Sequence, residues 1–249
     1  MEIRDQVVIV TGAASGLGRA TAVAVAHAGA RAVVIADLDA AGAEATAELV
    51  RKAGAEPLVV QTDLAEIDQL RRMFSETEKH FGRLDILVNN AAIAEGEVDW
   101  PDVDPEQAAR VVDVNLRGTI LATRLAIDVL QRNGGGRILN VASGGAFQPS
   151  LPQAAYVGTK AGIVHFSRSC EGLKESHGIH VSCLCPGMID TPGFAKLDRE
   201  GGRPAWLQES VDAYEMLQPE EVAAKLVEVL QDPECAGKVE IISGGPRQA

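Results

Sequence analysis

Two hydrophobic rhythms alternate along this chain. Short apolar runs rich in β-branched residues, VVIV at 7–10 and AVVI at 32–35, are separated by longer stretches, 19–28 and 41–53, whose apolar positions recur at helical spacing. The first strand is entered almost at once after Met1, and the opening reads as βαβαβ. The alternation continues with strands at 57–61, 86–88, 138–141, 181–185 and 239–242, and with helical stretches over 64–81 and 105–132. Seven strands joined by helices predict a doubly wound parallel sheet in a single α/β domain. Parallel neighbours need crossover connections, and those crossovers cover both faces of the sheet.

One stretch breaks the rhythm. Across 188–218, Pro192, Gly193, Gly201, Gly202 and Pro204 interrupt scattered apolar residues that include Phe194, Trp206, Leu207, Tyr214 and Met216. An irregular insertion late in a compact domain reads as a lid over a site.

Composition narrows the class. The 249 residues are 46% hydrophobic and only 4% aromatic, which suits helices packed closely on a parallel sheet. A formal charge of -12 repels phosphate backbones and anionic lipid heads, so neither nucleic acid nor a membrane surface is an expected partner. No apolar run reaches the length of about eighteen residues that a membrane span requires. With no signal-peptide pattern at the start, a cytoplasmic location is expected. Cys170, Cys183, Cys185 and Cys235 form no CxxC pair and have no His-rich neighbourhood, so they read as buried thiols, and no metal site is expected.

Chemistry enters at the end of the first strand, where TGAASGLG at 11–18 leads directly into a helix. Glycines allow a tight turn and close backbone approach, while a helix N-terminus offers free N–H groups and a positive dipole end to a pyrophosphate. Placed between the first strand and first helix of a βαβ unit, the turn predicts dinucleotide binding through Gly12, Ser15, Gly16, Leu17 and Gly18. Asp37 closes the second strand about twenty residues on, where a carboxylate accepts from ribose hydroxyls and repels a 2'-phosphate, so NAD is favoured over NADP. Arg19 is the nearby cation that dilutes this preference. Asp39 reads as part of the solvated turn beyond the strand. Asp63, next to Leu64 after the third strand, has two readings, as acceptor for the adenine amino group or as N-cap of the following helix.

Tyr156 and Lys160 lie four apart and so share one face of a helix. A phenol of pKa near 10 is too weak a base near neutrality, and an adjacent ammonium together with a cationic nicotinamide would lower it. Taken together with TGxxxGxG, the Asn-Asn-Ala segment at 89–91, Asn115, Ser143 and Pro186-Gly187, this pair makes the chain resemble the short-chain dehydrogenase/reductase family over essentially its whole length. The resemblance implies a seven-stranded Rossmann sheet assembled as a homotetramer or dimer. It implies Tyr156 as general acid/base, Ser143 polarising the carbonyl, Lys160 gripping the nicotinamide ribose, and Asn115 holding a proton-relaying water. Asn90, Ile189 and Thr191 would border the cofactor. Ala92, Thr159 and the Ser243-Gly244-Gly245 ending depart from the family's usual residues.

The expected activity is NAD-dependent interconversion of a secondary alcohol and its ketone. Ala146, Phe147, Leu151, Phe194, Trp206 and Leu207 suggest an apolar or aromatic substrate, with Gln153 as a polar anchor, a feature shared with hydroxyprostaglandin dehydrogenases. Two alternatives stand beside it. One is a 3-oxoacyl carrier-protein reductase, disfavoured because no basic cluster marks the lid; the other is a catalytically silent NAD-binding regulator, disfavoured by the intact Ser143, Tyr156 and Lys160.

Overall fold

The computed structural model describes residues 2–96, 98–198 and 202–247. In chain order the elements are β1 (Val7–Thr11), α1 (Gly16–His27), β2 (Ala32–Asp37), α2 (Ala40–Lys52), β3 (Glu56–Gln61), α3 (Ile67–Phe81), β4 (Ile86–Asn89) and α4 (Pro105–Val112). A π-helical turn (Asp113–Gly118) joins α4 to α5 (Thr119–Arg132). Then follow β5 (Gly136–Val141), α6 (Ala154–Ser169), α7 (Leu173–His177), β6 (Ile179–Pro186), α8 (Pro192–Ala195), α9 (Ala205–Ala213), α10 (Pro219–Gln231) and β7 (Val239–Ile242).

All seven strands run parallel in the order β3-β2-β1-β4-β5-β6-β7. The period of two in a strand sends alternate side chains to opposite faces. Val8 and Val10 therefore join the core under α1, α2 and α10, while Val7 and Ile9 join the core under α3 and α5. All four side chains are fully buried, which explains why the strand reads as an unbroken apolar run. Each such burial stabilises the fold by roughly 1.5–3 kcal/mol.

The winding reverses between β1 and β4, and there the carboxyl ends of two strands diverge to leave a crevice. Asn90, just past β4, ties the two halves together. Its Nδ2 donates to the Thr11 carbonyl at 2.8 Å, and its backbone N–H donates to Thr11 Oγ1 at 3.0 Å.

Several local expectations are refined. The first strand begins at Val7 as the apolar run indicated, whereas α3 begins at Ile67, three residues later than expected. The stretch 105–132 is helical throughout, but it carries the π turn in its middle. Such turns widen the helix by one residue and cluster at functional sites. Asn115 lies in this one. Cys183, Cys185 and Cys235 are buried, Cys170 is partly so, and all four are free thiols. Among the described residues, no helix is long and apolar enough to cross a membrane.

Candidate active site

The phosphate turn is shaped by its glycines. Gly12 has a φ of +65°, a left-handed conformation that disfavours side chains. A Cβ on Gly18 would lie 2.0 Å from the Gly12 carbonyl oxygen, so the first turn of α1 closes onto the loop only without one. Ser15 occupies the N-cap in extended conformation, but its side chain makes no capping hydrogen bond. The helix N-terminus thus presents N–H groups and a free hydroxyl at one exposed edge.

Asp37 stands at the end of β2. One carboxylate oxygen accepts from the Ala14 N–H at 2.8 Å and the other from the Asp39 N–H at 3.0 Å. Arg19 is turned to structural work: it donates to the Ala14 carbonyl and, at 3.0 Å, to Thr46 Oγ1 on α2. Asp39 caps α2 by accepting from the Gly42 N–H, as its place in the turn suggested.

Asp63 corrects one of its two readings. It does not cap the next helix, whose N-cap is Glu66; the chain between them turns first, with Asp63 Oδ1 accepting from the Ala65 N–H. Its other oxygen meets Arg110 of α4 at 2.7 Å. Burial pushes this carboxyl up, but the hydrogen bonds from Arg110 and Ala65 outweigh it and hold the pKa below the ordinary value. Leu64 is buried beside it, against Gly118 of the π turn.

On the other side of the crevice, Tyr156 and Lys160 share a face of α6, and the ammonium lies 5.6 Å from the phenol ring centroid. Lys160 is 2% exposed and donates to the Val141 carbonyl at 2.9 Å. Burial pulls its pKa down to about 8. Tyr156 also moves, though upward. Burial raises it, a hydrogen bond with Ser143 opposes this, and the charge of Glu95 adds to the rise. Desolvation of the partly buried ring is the largest of these effects, so the expected lowering by the ammonium does not appear in the protein alone.

Ser143 follows β5 and accepts from the Gly145 N–H at 3.1 Å, which fixes its hydroxyl at the mouth of the site. Asn115 is fully buried with its amide engaged at both ends. Its Oδ1 accepts from the Ile93 N–H and its Nδ2 donates to the Ile93 carbonyl, both at 2.8 Å, with Thr159 Oγ1 a further acceptor at 3.3 Å. Thr159 in turn donates to the Tyr156 carbonyl at 2.7 Å, so the π turn, the 90–96 loop and α6 form one connected unit.

Gln153 is buried as the residue before α6, and its Nε2 meets the Pro152 carbonyl at 3.4 Å. Thr191 caps α8 and comes against the phosphate turn: a Cβ on Gly16 would lie 3.2 Å from Thr191 Cβ. Ile189 pairs with Leu217 in a short parallel bridge, which pins the two ends of the 188–218 segment together. Within that segment Arg203 binds Asp198 at 2.6 Å and stacks on Phe194, Trp206 is partly buried, and Gly201 lies outside the described residues. Phe147 and Leu151 are exposed, so they line open surface beside the site.

Sequence reasoning passed over Glu95 and Arg110. Neither carries a periodic or motif signal, since each works through a partner 61 or 47 positions away. An acidic residue four positions after the Asn-Asn-Ala segment, in an otherwise apolar run, was the one visible hint.

The sequence profile of the short chain dehydrogenases matches residues 6–201. The chain is 34% identical over 247 residues to a cis-4-hydroxycyclohexanecarboxylate dehydrogenase of Sinomonas cyclohexanicum, covering 97% of this chain and 96% of that protein. It is 31% identical over 252 residues to the NAD(+)-dependent 15-hydroxyprostaglandin dehydrogenase of Mus musculus, covering 96% and 90%. Among solved structures, a 3-ketoacyl-(acyl-carrier-protein) reductase from Brucella melitensis complexed with NADH superposes with a TM-score of 0.86 at 31% identity, covering 98% of both chains.

Proposed function

The chain belongs to the short chain dehydrogenase family of oxidoreductases, and on that premise we propose that it interconverts a hydrophobic secondary alcohol and its ketone, using NAD. The observation that carries this reading is the Tyr156–Lys160 pair facing Ser143 at the crevice where the sheet reverses.

The residues present fit a nicotinamide dinucleotide. Gly12 and Gly18 let the loop close tightly at both ends, the N-terminus of α1 and the free Ser15 hydroxyl suit a pyrophosphate, and Thr191 abuts Gly16. Asp37 supports NAD over NADP. Its two bonded N–H groups aim the carboxylate at the ribose, and Arg19, committed to Ala14 and Thr46, is withdrawn from pairing with a 2'-phosphate. Asn90 and Ile189 would border the cofactor in the same crevice, and Asp63 and Leu64 would flank its adenine. When bound, the nicotinamide supplies the hydride acceptor for oxidation and the hydride donor for reduction.

Oxidation begins with the alcohol hydroxyl held between Ser143 Oγ and the phenol of Tyr156. Tyr156, as phenolate, takes the hydroxyl proton while hydride leaves the carbinol carbon. Lys160, charged at neutral pH, stabilises that phenolate. In the reverse direction the phenol returns the proton to the carbonyl oxygen while Ser143 donates to it. Burial raises the phenol's pKa, which suits it as the acid in reduction and leaves oxidation dependent on Lys160 and on the cofactor's own charge. Asn115 acts as the brace that fixes α6 against the 90–96 loop. The 188–218 segment serves as the lid over an apolar substrate.

The test mixes the protein with NAD+ and a panel of secondary alcohols and follows the near-ultraviolet absorbance of reduced nicotinamide. Tyr156→Phe is expected to bind NAD+ normally and to lose about 10²–10⁴-fold in turnover. Full activity in that variant refutes the mechanism.

A further inference from the structure

Glu95 is a carboxylate only 2% exposed, on the loop between the Asn-Asn-Ala segment and α4. Its Oε1 accepts the backbone N–H of Tyr156 at 3.0 Å. That contact satisfies one of the free N–H groups in the first turn of α6, where Gln153 makes no side-chain cap. Capping accounts for one oxygen only. The other, Oε2, is buried and has no hydrogen-bond partner among the described residues. An acceptor withdrawn from water and left without a donor is destabilising, and a capping role is filled as well by Asn or Ser, which carry no charge. Among the described residues no basic side chain pairs with it: Lys160 is spent on the Val141 carbonyl, and Arg110 on Asp63.

We propose that Glu95 is a specificity-determining residue whose free oxygen accepts a hydrogen bond from a second donor on the substrate, a hydroxyl or ammonium group away from the reacting carbinol. The inference rests on the oxidoreductase reading above and narrows it. The preferred substrate class is a diol, hydroxyketone or amino alcohol on an apolar frame, and a substrate bearing a carboxylate near that position is disfavoured. Its charge raises the pKa of the Tyr156 phenol, against the hydrogen bond of Ser143, so the same residue also shifts where Tyr156 titrates. Glu95 does not touch the reacting atoms, and its part in the chemistry is positional and electrostatic.

The test compares wild type with Glu95→Gln, which keeps an acceptor for the Tyr156 N–H and removes the charge. The substrates are cyclohexanol, the 1,2-, 1,3- and 1,4-cyclohexanediols, the matching aminocyclohexanols and 4-hydroxycyclohexanecarboxylate. In wild type at least one diol or amino alcohol should exceed cyclohexanol in kcat/KM by about tenfold or more, and that preference should collapse in the variant, chiefly through KM. A preference confined to the amino alcohols identifies an ammonium as the donor, and one confined to the diols a hydroxyl. The carboxylate substrate should gain in the variant. The acid limb of the kcat profile for oxidation should move to lower pH, because removing a negative charge beside the phenol eases its ionisation; a purely capping role leaves that limb in place. Equal losses on cyclohexanol and on the donor-bearing substrates, or an unchanged preference, overturn the inference while leaving the enzyme reading intact. A wild type that oxidises none of the panel overturns the enzyme reading itself.

Discussion

The two sides of the crevice are built from different materials. On the β1–β2 side the site is backbone: a turn closed so tightly that a methyl group on Gly18 has no room, and a carboxylate, Asp37, held by two main-chain N–H groups. On the β4–β6 side it is side chain. Lys160 and Glu95 are each about 2% exposed, Asn115 is wholly buried, and a π turn interrupts the helix that carries the last of these. Tight backbone is locally favourable, whereas buried charge is not. The first side offers a fixed backbone shape, and the second keeps polar and charged groups where folding alone would not place them.

Adding one methyl group separates the sides most sharply. Gly18→Ala drives a Cβ into the Gly12 carbonyl oxygen, and NAD+ affinity should fall by about a thousandfold or more in a calorimetric titration. Removing the buried charge on the other side should show in stability. Lys160 has a folded pKa of about 8 against an unfolded value of 10.5, so its burial penalty is full below pH 8 and fades as pH rises towards 10.5. Relative to Lys160→Met, wild type should gain up to about 3 kcal/mol across that window in denaturant melts. A flat difference would show that the lysine is not held against its charge.

Asp37→Ala is a milder change, because it removes one discriminating group and leaves the turn intact. The ratio of kcat/KM for NAD+ over NADP+ should drop by about ten- to a hundredfold, and a wild type that prefers NADP+ would contradict the reading of Asp37. The smallest effect is Gly158→Ala. This glycine lies between Tyr156 and Lys160, yet a Cβ there meets nothing within 4 Å. Turnover should be unchanged and stability should rise by about 0.5–1 kcal/mol, the reverse of Gly18→Ala.

The same contrast explains what was legible in the sequence. The strand Val7–Thr11 announces itself because both of its faces are buried and its apolar run is unbroken, and the turn from Gly12 to Gly18 because glycine is needed at both of those positions. Tyr156, Lys160 and Ser143 were visible through their order and spacing. The π turn was not, since one extra residue per turn leaves the apolar pattern of 105–132 almost unchanged. Nor was the Asp63–Arg110 pair or the seat of Glu95, because each depends on two loops or helices meeting in space and leaves no periodic trace. The upward shift of Tyr156 was hidden for a related reason: spacing shows the neighbouring ammonium but not the depth of burial.

The central claim is that Tyr156 moves the proton whose departure releases hydride from the carbinol carbon. Single-turnover oxidation of a carbinol-deuterated secondary alcohol with NAD+ tests it most directly. Wild type should transfer deuterium to the nicotinamide ring with a primary isotope effect, and Tyr156→Phe, with NAD+ bound equally well, should transfer almost none. Undiminished deuterium transfer in the phenylalanine variant would contradict the account.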